Sequence, residues 1–330
     1  MNHKAKIIKF TESTVKIIIV LLGILILYKK IFVNQNIVEI SQDVKNSFTN
    51  QKQFALMIVA LILVSVNIYL ESIKWKLQVK PIENIDNWKS FISIFTGMTA
   101  GMFFPNRMGN FVGRIFILEK GDRIKAAMVT IVGGFAQMIA TVGFGLIAIP
   151  FFVKKYLALI ISLSILIITL LILLYFNIHL LRHFQFIIPK KFKDKTKEYF
   201  EVFALYNKKE LLNILIISFL RYLLYTFQFV LLIWAFNIPL TYINSMIPIS
   251  LTYLTMMIVP FITITEIAVR GSVCVLIFEK WLILNGINTS YGMMVFSASS
   301  LLWIFNIALP AIIGLFLTYR LNFFRYKNEL

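Results

Sequence analysis

The chain has one cysteine, Cys274, and three histidines, His3, His179 and His183, in 330 residues. A single cysteine excludes an internal disulfide and leaves the redox compartment open. All three histidines fall outside the long apolar runs, which argues against a histidine-ligated metal inside a membrane. Acidic residues are few, 15 Asp and Glu against 33 Lys and Arg. No H-E-x-x-H on an apolar helix, no G-x-S-x-G, no G-x-x-x-x-G-K-[ST] and no paired-aspartate motif of intramembrane proteolysis or metal-dependent lipid-phosphate transfer occurs. No soluble stretch is long enough to house an active site. The expectation is a protein that is not an enzyme and needs no cofactor.

What the chain has in quantity is apolar residue, 59% of the total, with a mean hydropathy of +0.82. That composition belongs to a polytopic helical membrane protein. The runs are long and continuous, not alternating, which excludes a β-barrel reading. The formal charge of +18 does not imply nucleic acid, because Lys and Arg cluster in the segments beside apolar runs, where membrane orientation explains them. The first run leads into Tyr28–Lys29–Lys30–Ile31, not a small-residue cleavage site, so no cleavable signal is expected.

A full crossing takes about 20 apolar residues. On that measure six spans are expected, near Val15–Val33, Phe54–Tyr69, Ala126–Pro150, Tyr156–Phe176, Leu211–Phe236 and Gly292–Tyr319. Two further apolar stretches are interrupted. In Phe91–Arg123, Pro105, Asn106 and Arg107 sit at the centre, where an Arg costs about 2.5–3.5 kcal/mol and Pro removes a helical hydrogen bond. Met256–Arg270 repeats the pattern: Pro260, a Thr-rich break, then Glu266 and Arg270. A shift of 156 places Gly109 on Thr265, Asn110 on Glu266 and Arg114 on Arg270. Both stretches read as broken helices, 91–104 with 106–118 and 244–259 with 265–281, lining a polar cavity.

Charge sets the orientation. Segments 1–14, 71–90, 119–125, 177–210 and 319–330 hold 21 of the 33 Lys and Arg, the opposite side seven, and the spans five. The positive-inside rule then places both termini in the cytoplasm. Both flanks of the first broken pair are basic, so it reads as a re-entrant hairpin from the inside. The uncharged flanks of the second pair make it a hairpin from the outside. The expected fold is an all-α polytopic membrane protein, a single transmembrane domain of two inverted halves, about 1–150 and 151–330. Eight full spans are the alternative. Lys190–Lys209, with Phe192, Thr196, Tyr199, Phe203 and Tyr206 at helical spacing, reads as an amphipathic helix at the cytoplasmic lipid surface, or as a basic connector.

The intramembrane charges are the candidate site. Arg107 and Arg114, seven apart, would share a helix face, and a half-helix beginning near Asn106 would add its N-terminus; together these suit phosphate or carboxylate. Structurally, the same arginines could satisfy carbonyls freed by the break. Glu266 and Arg270 are an i,i+4 pair that can neutralise each other, or Glu266 can pair across the repeat and gate or couple protons. Arg221, about ten residues into its span, should face the cavity, whereas Glu71 and Lys74 read as interfacial. Gly97/Gly101, Gly109/Gly113, Gly133–Gly134 and Gly143/Gly145 read as close-packing positions.

Pro105–Asn106–Arg107–Met108–Gly109–Asn110, followed by Arg114, resembles the P-x-R-x-G-E…R signature of the lysylphosphatidylglycerol synthase transmembrane (flippase-like) family. Thr265–Glu266–Ile267–Ala268–Val269–Arg270–Gly271 is similar to its second signature. The resemblance implies an inverted-repeat bundle with two re-entrant pairs and movement of lipids or lipid-linked compounds between leaflets. Asn110 stands where Glu is usual, and no aminoacyl-transfer domain follows, so lysylphosphatidylglycerol synthesis is not expected. The expected function is a flippase or transporter of the bacterial inner membrane, with anionic membrane lipid as partner and Arg107, Arg114, Asn110, Glu266, Arg270 and Arg221 as substrate-binding residues. A second copy of the chain or a separate envelope enzyme is the further partner expected. The alternatives are a non-transporting accessory subunit of an envelope pathway and a small lipid-modifying enzyme.

Overall fold

The computed structural model describes residues 42, 45–104, 107–119, 121–180, 198–259, 265–287 and 291–319. The expected first span, Val15–Val33, the Pro105–Asn106 break, Pro260 with residues 261–264, and residues 190–197 lie outside them. Every regular element among the described residues is helical. Five helices are long and apolar enough to cross a membrane: α1 (Gln51–Val79), α4 (Arg123–Phe152), α5 (Leu157–Phe176), α6 (Lys208–Ala235) and the run Gly292–Leu317. That run joins α9 (Gly292–Trp303) and α10 (Leu309–Tyr319) through a π-helical turn, Ile304–Ala308. Pro310 explains the turn: it offers no N–H, and its ring would strike the carbonyl of Asn306 in regular helix.

The interrupted stretches form four shorter helices: α2 (Asn87–Gly101), α3 (Gly109–Ile115), α7 (Tyr242–Ile258) and α8 (Glu266–Leu284). At ~1.5 Å per residue α2, α3 and α7 fall short of a ~30 Å hydrocarbon core, whereas α8, which runs three residues past its expected end at 281, comes to about 28 Å. One span boundary needs correction. α1 continues ten residues beyond the expected end at Tyr69, because Glu71, Lys74 and Lys76 interrupt apolarity but not helix propensity. It stops at Val79, just ahead of Pro81.

The chain forms two compact units. One takes described residues from Val64–Gly143, Ile161–Leu224 and Ile307–Leu330, the other from Met1–Leu63, Phe144–Ile160 and Tyr225–Asn306; α1, α4, α5 and α6 contribute to both. In the first unit α2 and α3 lie antiparallel along a glycine seam. A Cβ on Gly113 would come within 2.5 Å of the Thr96 carbonyl oxygen, and one on Gly97 within 2.7 Å of the Asn110 carbonyl. Gly101 and Gly109 are as tightly confronted by the Asn110 side chain and the Ala100 carbonyl. α10 covers α2: Gly314 abuts the Phe95 carbonyl, and Thr99 Oγ1 donates to the Ala311 carbonyl at 2.8 Å.

The two ends of this hairpin are tied together. Glu83, before α2, accepts from the backbone N–H of Gly121 at 2.6 Å and of Glu119 at 3.3 Å, both after α3. Lys89, in the first turn of α2, pairs with Glu119 at 2.9 Å. Asp86 caps α2 by accepting from the Lys89 N–H at 2.6 Å.

The second unit packs α7, α8 and α9 around Phe229, Phe278 and Trp281, with Phe152 and Tyr253 against them. Gly145 lies against Leu254, and Gly271 against Phe296. The close-packing reading of the glycine pairs holds for Gly133, which meets Gln78, and for Gly145; Gly134 and Gly143 face open space and need correction. The surface-helix reading of Lys190–Lys209 is corrected where it is described. The chain turns 3-10 helical at Val202–Leu205 and extends at Tyr206, and Phe203 and Tyr206 are buried in protein. Tyr206 donates to the Gln78 carbonyl, and burial pushes its hydroxyl pKa up.

Candidate functional site

Asn67, Glu71, Lys74 and Gln78 recur at spacings of four, three and four along α1, which puts them on one helix face. All four are buried, Glu71 to 5% exposure and Lys74 to 3%. Unpaired charges so placed would be strongly destabilising. They are paired: Lys74 Nζ lies 2.9 Å from Glu71 Oε2. Arg114, from the glycine-seamed hairpin, donates through Nη1 to Glu71 Oε1 at 2.6 Å and sits 5.9 Å from the Trp75 ring centroid. Arg221, from the middle of α6, makes a third ion pair with Glu71 and donates to Asn67 Oδ1 at 2.9 Å and Gln137 Oε1 at 3.3 Å.

Three cations from three helices therefore converge on one carboxylate. Glu71 is the one buried carboxylate among the described residues of this unit. The Arg114 Nε hydrogen has no acceptor among the described residues.

The glycine seam is what delivers Arg114. Gly97 leaves room for its side chain, and a Cβ there would lie 2.9 Å from Arg114 Cγ. Arg107 is elsewhere. It precedes α3, is half-buried, and has φ of +56°, so it does not share a helix face with Arg114 as the seven-residue spacing suggested. α3 is only seven residues long, so the expected half-helix from Asn106 with both arginines on it is not formed. Around Arg107 the apolar Phe103, Phe104 and Met108 are exposed. Asn110 lies in the seam against Gly101, within the hairpin itself.

In the other unit Glu266, fully buried, opens α8 and pairs with Arg270 one turn on. Arg270 Nη1 also donates to the Tyr225 hydroxyl at 3.0 Å. The i,i+4 pairing open at Glu266 is formed.

Glu71 and Lys74 were missed as site residues. Their charge made them look interfacial, yet the four-three-four polar stripe from Asn67 to Gln78 marks a helix face turned into protein, not lipid. Chemically, two guanidiniums and an ammonium around a single carboxylate form a cationic cluster suited to oxyanions.

A family model described as "Lysylphosphatidylglycerol synthase TM region" matches residues 14–314. No curated protein and no solved structure matches the chain.

Proposed function

We propose, from the premise that this chain belongs to the lysylphosphatidylglycerol synthase transmembrane family, that it moves an anionic lipid or lipid-linked compound between leaflets. That it is a multi-pass membrane protein of a family linked to lipid handling is given by the match and the apolar helices. The observation that carries the finer reading is the Glu71 cluster, in which the buried Lys74 and Arg114 and the half-buried Arg221 share one buried carboxylate. Buried intramembrane charge of this kind marks substrate paths.

The α2–α3 pair acts as a re-entrant hairpin, a reading supported by the Glu83 bonds that hold its two ends together. α7 and α8 act as a second hairpin of the same kind. An anionic headgroup meets Arg107 at the apolar tip, passes to Arg114 and Arg221, and leaves its tails in lipid. Asn110 keeps the hairpin arms in register, and Glu266 with Arg270 shapes the second interrupted stretch. The protein does this without chemistry on the lipid, in a bacterial inner membrane with both termini cytoplasmic.

The paired state of Glu266 and Arg270 favours a second reading, an accessory subunit whose charges are structural. Proteoliposomes carrying labelled phospholipid or polyprenyl phosphate separate the two. Movement by wild type that Arg107→Ala abolishes supports transport. No movement of any cargo by folded wild type sinks it.

A further inference from the structure

We infer that the Glu71 cluster is a phosphate-class anion site, with the Glu71 carboxylate as its resident competitor. The inference rests on the transport reading for its lipid, but not for its chemistry. Lys74, Arg114 and Arg221 bring three positive charges to one negative charge, with Glu71, Lys74 and Arg114 buried and Arg221 half-buried. A surplus of buried positive charge is costly unless an anion supplies the balance.

The polar groups fit an oxyanion. Arg114 uses Nη1 on Glu71 and keeps an Nε hydrogen in hand. The buried Trp75 indole N–H, on the same helix face, also has no acceptor among the described residues. Asn67 and Gln137 hold the Arg221 guanidinium from the side through their amide oxygens. A phosphate oxygen approaching Arg114 would thus find charge and donors already positioned, which is how binding avoids an ordering cost.

Glu71 occupies the position a headgroup oxyanion would take. It satisfies the cations when the site is empty and must swing aside, or share them, when an anion binds. A site of this design should bind its anion with moderate strength and release it readily, because the carboxylate stands ready to replace it.

The test uses the full chain, purified in neutral detergent, with three probes: phosphatidylglycerol, inorganic phosphate and zwitterionic phosphatidylcholine. Retained ligand is counted by native mass spectrometry over a titration, and folding is checked by thermal unfolding. Glu71→Gln removes the competitor and should tighten phosphatidylglycerol binding by about tenfold or more, since one nearby like charge is removed. Arg114→Gln should weaken it by about as much.

If Glu71→Gln does not fold, Glu71→Gln with Lys74→Gln keeps the wild-type net charge but loses one of the three cations along with the competitor; it should bind about as wild type does, and adding Arg114→Gln to it should weaken binding by about tenfold. Unchanged or weaker binding by folded Glu71→Gln overturns the inference, as does a double variant that loses nothing on adding Arg114→Gln, or equal retention of phosphatidylcholine. If only inorganic phosphate responds, the anion site stands while the lipid-transport reading falls.

Discussion

Arg114 and Glu71 lie 2.6 Å apart, side chain to side chain, although they come from a hairpin and a span 43 residues distant. In the second interrupted stretch the equivalent arginine, Arg270, takes its carboxylate from Glu266 on its own helix. The first stretch has Asn110 at the position aligned with Glu266, and so cannot pair internally. Glu71 supplies the missing charge from α1. The two stretches thus reach the same local result, a buried arginine with a buried carboxylate, by different routes.

That pairing predicts a strong asymmetry among substitutions. Glu71→Leu leaves Lys74, Arg114 and Arg221 without their shared carboxylate, and breaking a buried ion pair in this way costs about 3–5 kcal/mol. Adding Arg114→Leu should recover part of the loss, because one of the stranded cations is gone. Thermal unfolding in detergent reads both. Additive losses would mean that the two residues are not coupled.

The glycines separate into two classes that a single substitution type distinguishes. Gly113→Ala drives a methyl to 2.5 Å from the Thr96 carbonyl oxygen and must push α3 away from α2. The displaced hairpin would carry Arg114 off Glu71, so both stability and transport should fall. Gly134→Ala and Gly143→Ala meet nothing within 4 Å, and each should be neutral or gain up to about 1 kcal/mol from helix propensity. Unfolding midpoints of the three variants check the order.

Much of this was legible in the sequence. Apolar length located the described spans to within a few residues, save for the end of α1, because a bilayer fixes how long an apolar run must be. Pro105 and Pro260 fall in the sequence between the end of α2 and the start of α3 and between the end of α7 and the start of α8. The Glu71 cluster was harder to read. Charge at the end of an apolar run has two physical explanations, snorkelling to the surface or burial against partners, and Glu71 with Lys74 fits either. Only the positions of Arg114 and Arg221, set by tertiary packing, decide between them. The left-handed backbone at Arg107 was also hidden, since residue spacing says nothing about where a short helix begins.

Topology gives a further prediction. The bonds from Glu83 to Gly121 and Glu119 place the chain before α2 beside the chain after α3. Cysteines introduced singly at Asp86 and Asp122 should therefore react with an impermeant maleimide from the same side of the membrane, the cytoplasmic side on the charge distribution. Cys274 is buried and gives little background. Labelling from opposite sides would instead require the α2–α3 stretch to cross fully, as the eight-span alternative has it.

Arg107 offers the sharpest separation of function from folding. Its φ of +56° lies in the left-handed region, which costs a side-chain-bearing residue about 1–2 kcal/mol and glycine almost nothing. It is half-buried, flanked by the exposed Phe103, Phe104 and Met108. If the residue were there for stability, a strained backbone at an apolar tip would be a poor place for it. Arg107→Gly should then unfold at the same temperature as wild type or higher, while transport in proteoliposomes is lost. Arg107→Lys keeps the charge but not the planar fork, and should retain only part of the activity. A glycine variant that is stable and transports normally would remove Arg107 from the path; one that is unstable would make it structural and move the first contact with the headgroup inward, to Arg114.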